Sequence, residues 1–233
     1  MAVRRLTLLA ALLVCMAFTA TAWAGTVTFN GFSLNGQGAL NFTPGLGNSL
    51  TIGAGNGGNG ALVTDFFSNF GGGLCGGDCS IVGGYLTLTT GPETSGFAGG
   101  GVFSYNFGAG GVLDIFGKIP ALGINSNTLL LTASFLPGTA FSGAGTVGSV
   151  LGQINLASIM LAPQLGVYKF TGASNDDLSF NINPGCATGG HCTGSLIQST
   201  TALQAIPEPA TLSVLGVGLF AFGAGLRKKM LSQ

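Results

Sequence analysis

Four cysteines and one histidine are the residues of this chain whose types and spacing most readily support chemistry. Cys75 and Cys79 lie close together in the sequence, as do Cys186 and Cys192, and His191 stands beside the last thiol. Thiolates and imidazoles are zinc ligands, but a structural zinc site takes four of them. Cysteine pairs in an exported chain more commonly form disulfides.

We predict disulfides joining Cys75 to Cys79 and Cys186 to Cys192. Each pair lies in a glycine-containing segment that can bend to bring two sulfur atoms within bonding distance. Loops this short gain little stability from closure, so the bonds would mainly fix loop shape. The alternative is a metal site that also uses His191. An oxidising compartment favours the disulfides, and we predict no metal and no cofactor.

Carboxylates are the other candidates for chemistry. Asp176 and Asp177 are adjacent, so they point to opposite faces if they lie on a strand, and both are solvated if they lie in a turn. Asp65 and Asp114 each interrupt an apolar run, and an outward-facing strand acid is the simpler interpretation. Hydrolysis of glycosides requires two acids facing each other. No G-x-S-x-G motif surrounds a serine, so a triad through His191 has no support. We predict that the protein is not an enzyme.

Glycine-rich motifs carry little information in this chain. The pattern G-x-G-x-x-G begins at Gly53, Gly55, Gly71 and Gly143, yet 43 glycines among 233 residues make chance matches expected. None of these matches opens a helix that is followed by the required acid. We therefore predict no nucleotide site.

Charge is scarce, and the positive charge lies mostly at the chain ends. Charged residues make up 6% of the chain and the net charge is +0, with Lys118 and Lys169 as the cations between the terminal clusters. Coiled coils and nucleic-acid binders need far denser charge. The composition therefore indicates no nucleic-acid partner.

Short apolar runs with a period near two recur along residues 25–205, separated by glycine-rich turns. They predict an all-β domain, an antiparallel β-sandwich or jelly roll of roughly ten strands. A glycine-rich solenoid would need a repeat of fixed period, which does not persist. A helix competes only over Val147–Met160, where Gly152 and β-branched residues favour a strand. The expected strands are 26–29, 32–34, 39–42, 49–52, 62–66, 85–89, 102–107, 112–116, 129–135, 154–161, 167–171 and 178–182.

The N-terminus predicts a signal peptide over residues 1–24. Arg4-Arg5 precede an apolar run from Leu6 to Phe18, and small residues flank Trp23. We expect signal peptidase to cleave after Ala24. The chain would then be exported across the inner membrane.

The C-terminus predicts a membrane anchor over residues 206–229. Pro207, Glu208 and Pro209 precede an apolar stretch, 210–226, that is followed by the basic tail Arg227, Lys228 and Lys229. This stretch gives a helix of about 25 Å, close to the lower limit for crossing a bilayer. The basic tail should remain cytoplasmic, which places residues 25–209 outside the inner membrane.

This tail resembles the PEP-CTERM sorting signal of Gram-negative bacteria. The resemblance rests on Pro207-Glu208-Pro209, the glycine-rich apolar stretch and the terminal cations, with lysines in place of some arginines. It implies recognition by exosortase, a membrane-embedded cysteine protease, and sorting outward, often alongside exopolysaccharide production. The resemblance does not extend to the ectodomain.

Two function classes remain open for the exported ectodomain. We expect a structural or adhesive protein of the cell surface or extracellular matrix, associated with exopolysaccharide. The alternative is a carbohydrate-binding module that recognises one glycan. Binding grooves usually present aromatic rings, whereas the chain beyond the signal peptide has no Trp and only Tyr85, Tyr105 and Tyr168 as tyrosines.

Overall fold

The computed structural model describes residues 25–32, 38–53, 60–68, 74–166, 168–171 and 174–207. Ala24–Ala205 form one compact unit. Within the described ranges, no helix is long and apolar enough to cross a membrane. The predicted signal peptide, the helix at 210–226 and the basic tail at 227–229 lie outside these ranges.

The described fold is all-β and its strands pair antiparallel, as predicted. Fifteen strands belong to one sheet, and the described residues form short 3-10 turns but no α-helix. The strands are β1 (Gly25–Phe32), β2 (Ala39–Phe42), β3 (Thr51–Gly53), β4 (Ala61–Ser68), β5 (Asp78–Thr90), β6 (Glu93–Gly99), β7 (Val102–Phe107), β8 (Gly110–Ile119), β9 (Ile124–Phe135), β10 (Thr139–Ala144), β11 (Val147–Gln153), β12 (Met160–Leu161), β13 (Tyr168–Phe170), β14 (Asn175–Ile182) and β15 (Cys192–Pro207).

Two long strands, β5 and β15, organise the sheet. The order of strands is β12-β9-β8-β5-β3-β2-β15-β14-β11-β10-β7-β6, with β1 and β4 paired to each other between β15 and β5. One edge of β15 pairs first with β2 and then with β1, and one edge of β5 pairs first with β4 and then with β3. Two columns of shorter strands therefore lie between β5 and β15. β3 and β4 lie end to end beside β5, and β2 and β1 lie end to end beside β15.

Aromatic contacts show that distant parts of the sheet face each other across the core. The ring of Phe42 on β2 lies 5.0 Å from that of Tyr105, 5.4 Å from that of Phe107 and 6.1 Å from that of Phe141. Four strands separate β2 from β7 in the sheet order, so the sheet must fold back for these rings to touch. Phe42 is fully buried, and burial of such a side chain contributes about 1.5–3 kcal/mol.

Strand alternation explains why these sequences form this core. In β7, Phe103, Tyr105 and Phe107 are buried, whereas Val102 at the start of the strand and Asn106 are exposed. Successive strand side chains point to opposite faces, so period-two sequences bury one face and leave the other in solvent. This is the pattern from which the sequence predicted strands.

The structure adds strands that the sequence analysis did not predict. These are β6, β10 and β15, together with the first half of β5. The segment 147–160 begins as the predicted strand β11, but continues as a 3-10 turn at Leu156–Ser158 before β12. A helix does not form there.

Candidate functional site

The last strand leads directly into the sorting motif. β15 ends at Pro207, while Glu208, Pro209 and the basic tail lie outside the described residues. At this end of the sheet β15 pairs with β1, and Ala205 stands opposite Gly25. Gly25 would be the first residue after signal peptide cleavage. In sequence, the expected N-terminal cleavage site precedes β1 and the Pro207-Glu208-Pro209 motif begins at the last residue of β15.

A disulfide closes the loop that precedes β15. Cys186 and Cys192 are bonded, their Cα atoms are 4.6 Å apart and both side chains are fully buried. Cys192 stands opposite Phe42 on β2, and the Tyr105 hydroxyl donates a hydrogen bond of 3.3 Å to the Cys186 carbonyl. The loop is thus fixed to β2 and β7, as expected for a bond that sets loop shape.

His191 occupies the exposed side of this loop. Its Nδ1 lies 3.0 Å from Oγ1 of Thr43. The alternative metal site would use Cys186 and Cys192 with further ligands from Cys75 and Cys79. Both pairs are joined as disulfides and supply no thiolate ligand. No group of three or more metal-ligating side chains occurs in the part of the chain that the structure describes.

The second predicted disulfide shapes the turn before β5. Cys75 and Cys79 are bonded with their Cα atoms 5.3 Å apart. Cys75 is exposed with a φ of 54°, a left-handed conformation that is uncommon outside glycine. Cys79 is buried and stands opposite Phe66 on β4. The bond therefore holds a sharply bent segment against the edge of the core.

Asp65 and Asp114 do not form a facing pair. Asp65 stands opposite Asn30 and Ser80 in the sheet and accepts a hydrogen bond from its neighbour Thr64. Asp114 lies on β8, opposite Thr87 and Thr132. Both side chains are half-buried on the outward face, which agrees with the simpler interpretation of an outward-facing strand acid.

Asp176 is a buried acid in the core. It lies on β14 and is fully buried, whereas Asp177 beside it is exposed. The Thr201 hydroxyl donates a hydrogen bond of 2.6 Å to Oδ1, while Oδ2 has no partner among the described residues. Burial raises the pKa of Asp176 to about 7, and the charge of Asp177 adds to the rise while the Thr201 hydrogen bond opposes it. Sequence reasoning placed these two acids on opposite faces but did not identify which was buried.

Glu93 is a second acid that the fold encloses. It opens β6 and is 6% exposed, and Oε2 accepts a hydrogen bond of 2.7 Å from the Gly45 amide. The backbone of Glu93 also pairs with Asn48 and Gly47. Burial, and secondarily the Glu93 charge, raise the pKa of Tyr105. Glu93 therefore fastens the loop after β2 to the start of β6.

Two tyrosine rings, those of Tyr85 and Tyr105, are at least partly covered by the fold. Tyr105 is buried. The ring of Tyr85 stacks on that of Phe116 at 5.0 Å and 18°, so one of its faces is covered. Phe97 is an aromatic side chain that is largely exposed, at 61%.

A groove of about 410 Å³ opens beside the Cys186–Cys192 loop. Three turns form it: the β6–β7 turn, the β10–β11 turn and the disulfide loop. Its lining is small and uncharged, consisting of Ala98, Gly99, Gly100, Gly101, Gly145, Thr146, Pro184, Ala187 and Thr188. Sequence reasoning missed this groove because its lining reads as ordinary glycine-rich turns.

Comparison with known proteins identifies the C-terminal segment. The model of the PEP-CTERM protein-sorting motif matches residues 205–229. No curated protein and no solved structure matches the chain. The chain therefore carries a PEP-CTERM protein-sorting motif at residues 205–229, which confirms the resemblance found in the sequence and implies export and processing by exosortase.

Proposed function

We propose that this protein is a non-enzymatic component of the cell surface or extracellular matrix, structural or adhesive, and associated with exopolysaccharide. In this proposal residues 1–24 direct export and residues 210–226 hold the chain in the inner membrane. Exosortase then acts at the sorting motif, and the folded ectodomain leaves the membrane.

The observation that carries the proposal is the sorting motif at the end of β15. The last strand, β15, extends to Pro207, the first residue of Pro207-Glu208-Pro209. Such a chain presents a folded domain to the outside and a sorting signal to the membrane. This arrangement suits a protein whose destination is the envelope or the matrix.

The architecture supports a structural role. We infer that the folded-back sheet is a β-sandwich of the jelly-roll kind, because the Phe42 ring meets rings from strands far away in the sheet order. Two disulfides within short loops fit an oxidising compartment. They fix the shapes of the segments that precede β5 and β15.

The chemistry of the described residues supports a non-enzymatic role. Asp176 is enclosed in the core, and Glu93 is bound to the Gly45 amide. His191 contacts Thr43 on the exposed side of a loop. A catalytic base needs an open position next to its substrate and an oriented partner, and these three groups do not meet that requirement together.

A carbohydrate-binding module with one defined groove is the second candidate. The groove at the disulfide loop has a volume within the range of small-molecule sites. However, no aromatic ring lines it. Retention of the protein on a polysaccharide column, with release by one free sugar, would favour this candidate over the structural role.

The proposal is tested by replacing Pro207, Glu208 and Pro209 with alanine in the native host. We expect the variant to accumulate in the inner membrane, because exosortase no longer recognises it. The matched control, Lys228→Arg with Lys229→Arg, keeps the charge of the tail and should be sorted normally. Release of the triple-alanine variant into the medium at the wild-type level would refute the proposal.

A further inference from the structure

Four serines stand in one straight row across four neighbouring strands. Ser142 on β10 lies opposite Ser104 on β7 and Ser149 on β11, and Ser149 lies opposite Ser179 on β14. Neighbouring strands are about 4.8 Å apart, so the row extends over about 14 Å. We call these four residues the serine row.

The serine row lies on the outer face of the sheet and its hydroxyls are free. Each serine is half-exposed, whereas its strand neighbours Phe103, Tyr105, Phe141 and Val150 are buried in the core. None of the four hydroxyls has a hydrogen-bond partner within the described structure. Four donor and acceptor groups are therefore aligned toward solvent at a regular spacing.

Exposed apolar side chains lie on both sides of the row, and we call the row together with these side chains the trough. Val102 and Val147 lie along one side at 45% and 55% exposure, and Leu151 lies along the other at 50%. Phe97 continues the row beyond Ser104, and Gln198 continues it beyond Ser179. With these two ends, the trough crosses six strands, or about 24 Å.

The charge of this face limits what it can bind. Among the outward side chains of β7, β10, β11 and β14, Asp177 is the charged one, and none is a cation. An acidic polymer would meet a carboxylate and no compensating positive charge. The face is compatible with an uncharged polymer.

We infer that the trough binds an extended, uncharged polysaccharide chain that lies across the strands along the serine row. Sugar hydroxyls exchange hydrogen bonds with the serines, and the apolar faces of the sugar rings contact Val147, Leu151 and Phe97. Short side chains on paired strands lose little conformational freedom on binding, which lowers the entropic cost. This inference rests on the proposed function, which places the protein in the envelope or matrix in contact with exopolysaccharide.

A second copy of the chain fits this face less well. Serine and alanine are depleted at protein interfaces, where aromatic residues and methionine are enriched. Here serines and Ala140 and Ala144 separate the exposed apolar residues from one another. The face therefore lacks the contiguous apolar centre that a stable dimer buries.

The test uses the protein as the host processes it, purified from envelopes and culture medium. Its binding to the neutral and acidic fractions of the host exopolysaccharide is measured by co-sedimentation. The test variant carries Ser→Ala at positions 104, 142, 149 and 179. The matched control removes four outward hydroxyls from the other half of the sheet through Thr87→Ala, Thr89→Ala, Thr132→Ala and Ser134→Ala.

We expect the wild type to bind the neutral fraction, and the serine-row variant to bind it about tenfold more weakly or worse. The control variant should bind as the wild type does. Circular dichroism checks folding. Should the fourfold variant not fold, Ser149→Gln, which fills the middle of the trough without adding charge, should cause a comparable loss.

Three results would overturn the inference: equal binding by the serine-row variant, preference of the wild type for the acidic fraction, or a change of oligomeric state with no change in glycan binding. The last would identify the face as a contact between copies. The sorting experiment above is independent of these results. Normal sorting with no trough-dependent binding would remove this inference and leave the proposed function standing.

Discussion

The buried acid Asp176 makes the stability of this protein depend on pH, and the substitution Asp176→Asn should remove that dependence. Asp176 has a pKa of about 7 in the fold, against 3.8 ordinarily, chiefly because burial penalises its charged form. Asparagine keeps an oxygen that can accept the Thr201 hydrogen bond, but it cannot ionise. The substitution therefore isolates the free-energy cost of ionising the buried carboxyl group.

The sign and size of the effect follow from the two pKa values. Between pH 4 and pH 7 the folded state holds a proton that the unfolded state has released, so the free energy of unfolding falls as pH rises. The shift of about three units, at 1.36 kcal/mol per unit, amounts to about 4 kcal/mol in total. Of this, about 2.5 kcal/mol should be lost between pH 5 and pH 8.

Urea denaturation followed by far-ultraviolet circular dichroism at pH 5, 6, 7 and 8 measures this slope. The wild type should lose stability toward pH 8 by about 2.5 kcal/mol more than Asp176→Asn does. The control Asp177→Asn changes an exposed neighbour and should keep nearly the whole slope, since the charge of Asp177 is a lesser cause of the shift. Equal slopes for the wild type and Asp176→Asn would refute this account of the buried acid.

Other predictions concern the core and the loops. Phe42→Ala removes the ring on which three aromatic contacts converge. It should lower the free energy of unfolding, measured by urea denaturation, by about 4 kcal/mol. A loss below about 1 kcal/mol would contradict the packing of β2 against β7 and β10 across the core. Gly31→Ala should prevent β1 from pairing normally, because a Cβ there overlaps the Leu62 carbonyl; soluble expression at the wild-type level with unchanged thermal stability would argue against this packing. Replacing Cys186 and Cys192 together by alanine should lower stability by about 2 kcal/mol, and an unchanged denaturation midpoint would show that the bond does not constrain the fold.

Much of the fold could be predicted from the sequence because its strands alternate apolar and polar residues. The alternation in 102–107 is of this kind, and its buried and exposed positions match β7. β15 escaped prediction because its inward positions include Ser199 and Thr201, which are polar yet buried. A polar residue at a core position hides the period on which strand prediction depends.

The buried state of Asp176 could not be read from the sequence for the same reason. Local sequence shows that adjacent acids on a strand point to opposite faces, but burial depends on β15 and β11, which flank β14 in the sheet. The disulfides were predictable because both cysteine pairs are local in sequence. The serine row was not, since its four members come together only through the register of four strands.

The central claim, export followed by sorting at the PEP-CTERM motif, is tested most directly by the intact mass of the protein recovered from the host's envelope and culture medium. We predict a chain that begins at Gly25 and ends near Pro209, with a mass four hydrogens below the reduced value because of two disulfides. A released chain that still carries residues 210–229, or that retains its first 24 residues, would contradict the account.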